Sequence, residues 1–591
     1  MPAVPTFSVD DGFWYSIPES FSSRVRIGTI VRVPLGGRRV RGHVVELGRR
    51  DPGGLKPLAG VSGELPIFDH KLRDALIWAA HHYVAPVSVM LERAAPPNLP
   101  GRPEALERAQ LQEAQAPNHP LTGIVESVMA GKRHPVTALM TSWNDWTWVA
   151  AAVPLVTSGR SALVLVPTAA ELAMVAREAK RHLEPERVIE ISGDLDQARM
   201  TRMWEQAATV CGAMVLGTPR VAAWPVAGLG MAVVLEEGRR AMKDRQTPTL
   251  SVRRLITTRG RLEGFAQVYV GPTPSVELLA GGAEPVQMGP RVWPLIEVVD
   301  RTEEPPGSGL IATRTRAAIA GMLDRHASVF IFTHRRGYAP AYRCSTCREL
   351  RRCPGCGSRP EPGEACPRCG EPARPCQNCG GNTFEPLGAG VGRVLAEARN
   401  LFGREVGEAG EDSPITVGSE RDLAGLGSVD LAVAVDVDGL AFGTHFRAAE
   451  EALRMLARLA GRVGRGRGRR LILQTSLPDQ PLVVALRRGN SLEFLNQELA
   501  QRQRLGYPPA TEMMVIETRG KDGDVAGDVD GDLRRVADES VTIMGPASTS
   551  RSRRWLIEGR LGGYKLALRP LVQRWRDSDI TVRIDADPID L

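Results

Sequence analysis

Short apolar runs, each followed by a stretch with apolar positions three and four residues apart, set the rhythm of the middle of this chain. Residues 162–167 (ALVLVP) form such a run and predict a strand buried on both faces, with an amphipathic helix over 170–181 behind it. Residues 213–217, 231–235 and 266–270 repeat the signal. Beyond Val292 another set begins, at 329–332, 414–417, 431–435 and 471–474. Strands alternating with helices predict parallel sheets, so the two sets predict two α/β lobes in tandem.

The flanking segments have other periods. Residues 28–36 and 40–46 alternate like strands of a small β-rich unit, with Arg38, Arg39, Arg41, Arg49 and Arg50 on its turns. A helix is predicted over 68–83, carried by Leu72, Leu76, Ile77 and Ala80. The Pro- and Gly-rich residues 94–103 mark a boundary, and the charged stretch to about 120 reads as a linker. Residues 521–532 alternate Asp with Gly, but no Glu follows at the offset a Ca²⁺ loop needs, so they read as an exposed linker.

The second set of strands is interrupted by a segment nearly empty of large apolar residues. It holds eight cysteines in four Cys-x-x-Cys pairs: Cys344/Cys347, Cys353/Cys356, Cys366/Cys369 and Cys376/Cys379. Each pair can give two thiolates to one tetrahedral Zn²⁺, so four pairs predict two Cys₄ sites, against the blander readings of disulfides or a redox dithiol. In three pairs a Gly follows the second Cys, where the turn brings amides toward the sulfurs. With no core of its own, the segment must draw its folding energy from metal. Spacing alone permits sequential, nested or interleaved ligand sets.

Composition narrows the class. At 591 residues the chain has room for several domains. The N-terminus is neither basic nor apolar for long enough to be a signal peptide, and no run approaches the ~18 apolar residues of a membrane span. Cys211, in an apolar stretch, is expected to be a core thiol, and the whole pattern fits a reducing cytosol. The net charge of +7 and pI near 9.0 suit a polyanionic partner, although the positive charge is nearly all Arg, with seven Lys in the chain. The stretch 461–470 carries Arg462, Arg465, Arg467, Arg469 and Arg470, and can either track a phosphate backbone or form a solvated loop.

Several stretches together resemble the bacterial PriA family of primosomal replication restart proteins, in a form with degenerate helicase motifs (actinobacterial type). They are residues 13–18 (FWYSIP) with 27–34, 78–83, 329–338 ahead of the cysteines, 446–450, 458–465, 505–509 and 585–588. The resemblance implies a multidomain α/β protein. It would have a small β-rich, DNA 3′-end-binding-like domain (1–98) and a linker (99–120) where the family's winged helix is missing. Helicase lobe 1 would span 121–295, and lobe 2 would span 296–342 and 381–500, a two-zinc insertion (343–380) splitting it. A small α+β C-terminal DNA- or partner-binding domain (501–591) would follow. It also favours nesting: Cys344, Cys347, Cys376 and Cys379 on one Zn²⁺, and Cys353, Cys356, Cys366 and Cys369 on a second. Implied DNA contacts are Phe13, Tyr15, Arg38, Arg39, Arg462, Arg465 and Arg467. Implied partners are branched DNA at replication forks, single-stranded DNA-binding protein, and the replicative helicase or its loader, in a cytoplasmic, nucleoid-associated setting with no membrane.

Departures from the family pattern bear on chemistry. A motor of this type needs a glycine loop for phosphates, a Lys, and a Ser/Thr for Mg²⁺. That loop is expected at 139–148, yet there is no Gly between Gly131 and Gly159, no Lys between Lys132 and Lys180, and three Trp fill the stretch. Only Thr147 stands where the family's Thr would be. The family's Asp-Glu-Glu-His is here Leu235-Glu236-Glu237-Gly238, without the metal Asp. ATP binding is therefore doubtful, no catalytic residue is assigned, and Thr147, Glu236 and Glu237 remain as a degenerate nucleotide site. Trp14 replaces the Asp expected in the 3′-end pocket, which leaves stacking on Phe13 or Tyr15. The expectation is a restart scaffold that recognises abandoned forks and promotes helicase reloading. The rival is an active DNA-dependent ATPase and 3′-to-5′ helicase, and a third reading is a structural zinc protein for RNA polymerase or ribosome factors.

Overall fold

The computed structural model describes residues 1–591 apart from 50, 52, 102–117, 133, 144, 290–292, 306–307, 335–340, 356, 367–369, 444, 465, 520–528, 549–551 and 590–591. The predicted buried runs become the centre of two parallel sheets. In the first lobe the spatial order is Glu284–Gln287, Thr137–Met140, Ala266–Gly271, Leu229–Leu235, Ser161–Leu165, Met214–Gly217 and Val188–Ile191. All neighbours run parallel. One face is covered by helices Pro120–Met129, Thr147–Thr157 and Ala169–His182, which bury Leu121, Trp148, Val149 and Val175 against the strands. Thr168 caps the 169–182 helix: its hydroxyl accepts from Glu171 N and donates to Glu171 Oε2 at 2.9 Å, which fixes that carboxylate at the helix start.

On the other face sit helices Gln197–Thr209 and Val252–Glu263, and with them the helix His70–His82 of the N-terminal unit. Asp69 caps that helix through Leu72 N at 2.8 Å. Leu72, Leu76 and Tyr83 share a core with Trp204, Leu255 and Ile256 of the lobe, so the N-terminal unit is packed onto it. The unit itself is a three-stranded antiparallel sheet, Arg38–His43, Ile30–Leu35 and Gly60–Ser62.

The second lobe has six parallel strands in the order Ile296–Asp300, Arg470–Thr475, Leu431–Ala434, Val329–Phe332, Ile415–Gly418 and Val406–Glu408. The cysteine segment leaves it through a two-stranded antiparallel ribbon, Ala341–Cys344 against Phe384–Leu387. A four-stranded antiparallel sheet completes the chain: Val541–Ser548, Arg553–Gly559, Glu512–Arg519 and Thr581–Ala586. Helices Val529–Arg535 and Leu561–Asp577 cover one of its faces over Met514, Ile516, Trp555 and Ile557.

Two expectations fail here. Residues 529–532 are not linker but the start of a helix, because Asp530 and Asp532 accept from the buried indoles of Trp555 and Trp575, each at 2.9 Å. The rest of that stretch lies outside the described residues, as does most of the 99–120 linker. Cys211 is exposed, not a core thiol: it sits in the turn before Met214–Gly217, outside the strand whose apolar run suggested burial.

Candidate functional site

The first cysteines of the four pairs open alike turns. In each, the first Cys donates its N–H to the carbonyl five residues on and accepts from the amide four residues on. The bonds are Cys344 to Glu349 and from Arg348, Cys353 to Ser358 and from Gly357, Cys366 to Glu371 and from Gly370, and Cys376 to Gly381 and from Gly380, all between 2.7 and 3.0 Å. The residue four on is left-handed each time, with φ of 65° at Arg348, 69° at Gly357, 75° at Gly370 and 74° at Gly380. The first and last pairs meet: the sulfurs of Cys344, Cys347, Cys376 and Cys379 lie within 4.8 Å of one another, with Cys344–Cys379 and Cys347–Cys376 at 3.5 Å. Sulfurs about 2.3 Å from a tetrahedral ion are roughly 3.8 Å apart, so this set can hold a metal ion. Amides of Thr346 and Cys347 bond to Cys344, that of Glu349 to Cys347 and that of Gly381 to Cys379, as suits thiolate charge. Of the second set, Cys353 and Cys366 are buried, and Cys356 and Cys369 lie outside the described residues.

The nucleotide-like cleft between the lobes is filled by the chain's own side chains. The strand expected to begin the phosphate loop runs to Met140, and the loop proper is 141–146. There Asp145 accepts from Thr147 N at 3.0 Å, Thr147 Oγ1 at 2.6 Å and Thr141 Oγ1 at 2.7 Å. Burial works against its charge, but the bonds from Thr147 and Thr141 prevail and hold its carboxyl below the usual range. A carboxylate thus stands at the start of the 147–157 helix, where an incoming phosphate would be repelled.

Trp143 occupies the space beside it, 5% exposed, with Gly461 of the second lobe closing on its Cβ. Arg239, Arg458 and Arg462 stack over its ring at 5.9, 5.1 and 5.3 Å. Arg458, from the second lobe, pairs with Glu236 at 3.2 Å and Glu420 at 2.8 Å and lies 3.9 Å from Glu171. Arg239 pairs with Glu236 at 2.9 Å and with Glu171. Guanidinium groups thereby hold the acidic residues that would otherwise serve nucleotide chemistry.

A second cluster continues the seam. Arg454 donates to Gly238 O at 2.8 Å and pairs with Glu450 at 2.6 Å. A Cβ added at Gly238 would come within 2.4 Å of that guanidinium, so the missing His is what admits Arg454. Glu277 of the first lobe meets Arg447 and, at 3.4 Å, Arg502, which also holds Glu450 at 2.8 Å. Burial opposes its charge, but Arg447, Arg253 and Arg502 outweigh it and bring the Glu277 carboxyl down to about 2. Glu237 accepts from Ser275 N at 2.8 Å, so Glu236 and Glu237 are each engaged by groups of the chain itself. Sequence reasoning missed most of the seam. The available signal was a charged stripe at four-residue spacing, Glu450, Arg454, Arg458 and Arg462, on the otherwise apolar helix Ala448–Gly461 and its cap.

Among the expected DNA contacts, Arg462 is corrected: it is 3% exposed, over Trp143 and donating to Ala424 O, and no phosphate reaches it. Arg465 lies outside the described residues, while Arg467, Arg38 and Arg39 are exposed. In the N-terminal unit a cavity of about 550 Å³ is lined by Phe13, Trp14, Tyr15, His43 and Leu58. Phe13 is 48% exposed at it, whereas Tyr15 is tied down by its hydroxyl to Pro34 O at 3.2 Å.

Two parallel-sheet lobes with a fused cleft, a cysteine insertion in the second and a β-rich N-terminal unit define a protein of the helicase-like, RecA-type two-lobe class. The family model of the 3′DNA-binding domain (3′BD) of PriA matches residues 3–96. The replication restart protein PriA of Treponema pallidum is 24% identical over 611 residues, covering 91% of this chain and 90% of its own. The probable replication restart protein PriA of Mycobacterium leprae is 26% identical, covering 88% and 86%. Among solved structures, RecG bound to a three-way DNA junction is 13% identical with a TM-score of 0.36, covering 73% of this chain and 56% of RecG. Over most of its length the chain is thus similar to replication restart proteins of the PriA family, and its residues 3–96 match that family's 3′DNA-binding domain.

Proposed function

We propose that this chain binds abandoned or stalled replication forks and promotes reloading of the replicative helicase without a motor of its own. The observation that carries the second half is the seam: Trp143, Asp145 and the Arg458–Glu236 pair stand where a nucleotide, its phosphates and its ion would have to go. The first half rests on the match of residues 3–96 to a 3′DNA-binding domain and on the open, aromatic-rimmed cavity beneath Phe13. On this reading the cysteine segment, holding zinc ions, is the surface for protein partners.

ATP hydrolysis with and without a model fork tests the motor question. Background turnover in both is expected, and a few turnovers per second with the fork would establish an active helicase instead. Anisotropy at fixed salt, comparing a fork whose 3′ end lies at the junction with linear duplex, tests recognition. A preference of about tenfold, near 1.4 kcal/mol, is expected. Equal binding would remove fork recognition from the function.

A further inference from the structure

Between Cys347 and Cys353 the chain carries Arg351 and Arg352 side by side, and the fold treats them differently. Arg352 is exposed, whereas Arg351 is buried, at 9% exposure, in a segment with almost no apolar side chains to form an interior. Its guanidinium lies over the Phe384 ring at 4.7 Å and borders a cavity of about 350 Å³ that Cys353, Cys366 and Cys376 also line. The cavity thus touches cysteines of both ligand sets.

Arg351 is bonded toward both sets as well. Its amide donates to Tyr342 O at 2.8 Å, two residues before Cys344, and its Nη1 donates to Arg374 O at 2.7 Å, two residues before Cys376. Its Nε donates to Pro360 O at 3.3 Å, in the link from Cys356 to Cys366, and Arg351 itself stands two residues before Cys353. Ser358, whose carbonyl closes the Cys353 turn, has its hydroxyl 3.0 Å from Cys366 Sγ, so the second and third turns adjoin. One side chain is therefore shared between the turns of the two sets. A planar guanidinium can reach carbonyls on diverging lines, which the compact ammonium of a Lys does not.

No carboxylate accounts for this buried charge. Among the described residues Arg351 has no acidic partner, and the nearby acids pair elsewhere: Glu371 with Arg374 at 2.6 Å, and Glu385 with Arg343 and Arg348 at 2.9 and 3.1 Å. A buried cation needs a counter-charge. Four thiolates on a divalent ion retain a net charge of about −2, and a centre of this kind in each set supplies it. We infer that Arg351 couples the two metal sites, its carbonyl bonds and its charge joining them so that each ion is held less firmly once the other is gone. It is a positioning residue and ligates nothing itself. The inference rests on the reading of two metal ions in this segment.

The test uses the full chain loaded with zinc, and follows bound zinc and its rate of removal by excess chelator with a zinc-sensitive dye. Two ions are expected in the wild-type chain. One is expected in Cys376→Ser, released about tenfold faster than either ion of the wild type. Arg351→Gln should bind both ions but release them about tenfold faster, and adding Cys376→Ser to it should speed the remaining ion by less than about twofold. Arg352→Gln, at the exposed neighbour, should behave as wild type, and far-ultraviolet circular dichroism checks that the lobes stay folded. If the Gln chain loses its metal outright, Arg351→Lys carries the same comparison, since Lys keeps the charge but lacks the fork. Release unchanged by Arg351→Gln, or the full effect of Cys376→Ser persisting in it, would overturn the coupling and leave the two-site reading intact. A single ion in the wild-type chain would overturn both.

Discussion

Arg348 holds a left-handed backbone at φ 65° in the one cysteine turn that lacks glycine, and its side chain reaches Glu385 at 3.1 Å. The strain of a non-glycine residue there is on the order of 1 kcal/mol, and an exposed ion pair returns less than that. Arg348→Gly should therefore leave thermal stability of the metal-loaded segment unchanged or raise it slightly. Gly380→Ala, at φ 74°, should lower it by a similar amount in calorimetry. A second residue-scale expectation concerns pH. His43 is fully buried against Phe68, with Glu92 at 3.3 Å, Arg41 alongside and the Met1 ammonium nearby. Burial first, then Arg41 and the ammonium, lower its imidazole from 6.5 to about 3. Between those values the unfolded chain binds a proton that the folded one does not. The stability is thus complete above pH 6.5 and is lost as pH falls toward 3, by several kcal/mol at the limit. Urea unfolding from pH 7 to 4 should show this loss, and His43→Leu should flatten it.

Elements were legible in proportion to how completely they are buried. The runs at 162–167, 231–235 and 329–332 are apolar because helices cover both faces of their sheets, so period and composition agreed. Val188–Ile191 and Glu284–Gln287 stand at opposite ends of the first sheet, are four residues long and carry polar residues, so nothing in the pattern marked them. The cysteine turns were readable because thiolate spacing is set by the ion rather than by packing. Their association was not, since spacing leaves several ligand sets open, and the structure gathers the first pair with the fourth. Cys376→Ser should release one metal ion and leave the rest, with the circular dichroism of the lobes unchanged. Retention of the full metal content would dismiss this four-sulfur set.

For the whole molecule, the loss of the glycine loop was visible in the sequence, but what replaced it was not. Trp143, Glu171, Arg239 and the pair Arg454 and Arg458 come from four separate segments, and the packing of one lobe on the other brings the last two to the rest. Removing one partner of a buried pair strands the other's charge, at a cost of about 3–5 kcal/mol. Arg458→Ala should thus destabilise the chain by roughly that much in urea unfolding, whereas the exposed Arg467→Ala should shift it by about 0.5 kcal/mol or less.

The seam also bears on descent. Leu235→Asp would bury a carboxylate in an apolar core, a His at position 238 would collide with Arg454, and a glycine in place of Trp143 would leave three guanidiniums facing a void. Each substitution toward the nucleotide-binding pattern expected of such lobes is unfavourable unless the others are already in place, and folded chains have only some 5–15 kcal/mol to lose. If the chain lacks a motor, as proposed, the interlobe charges act as a ratchet against regaining one.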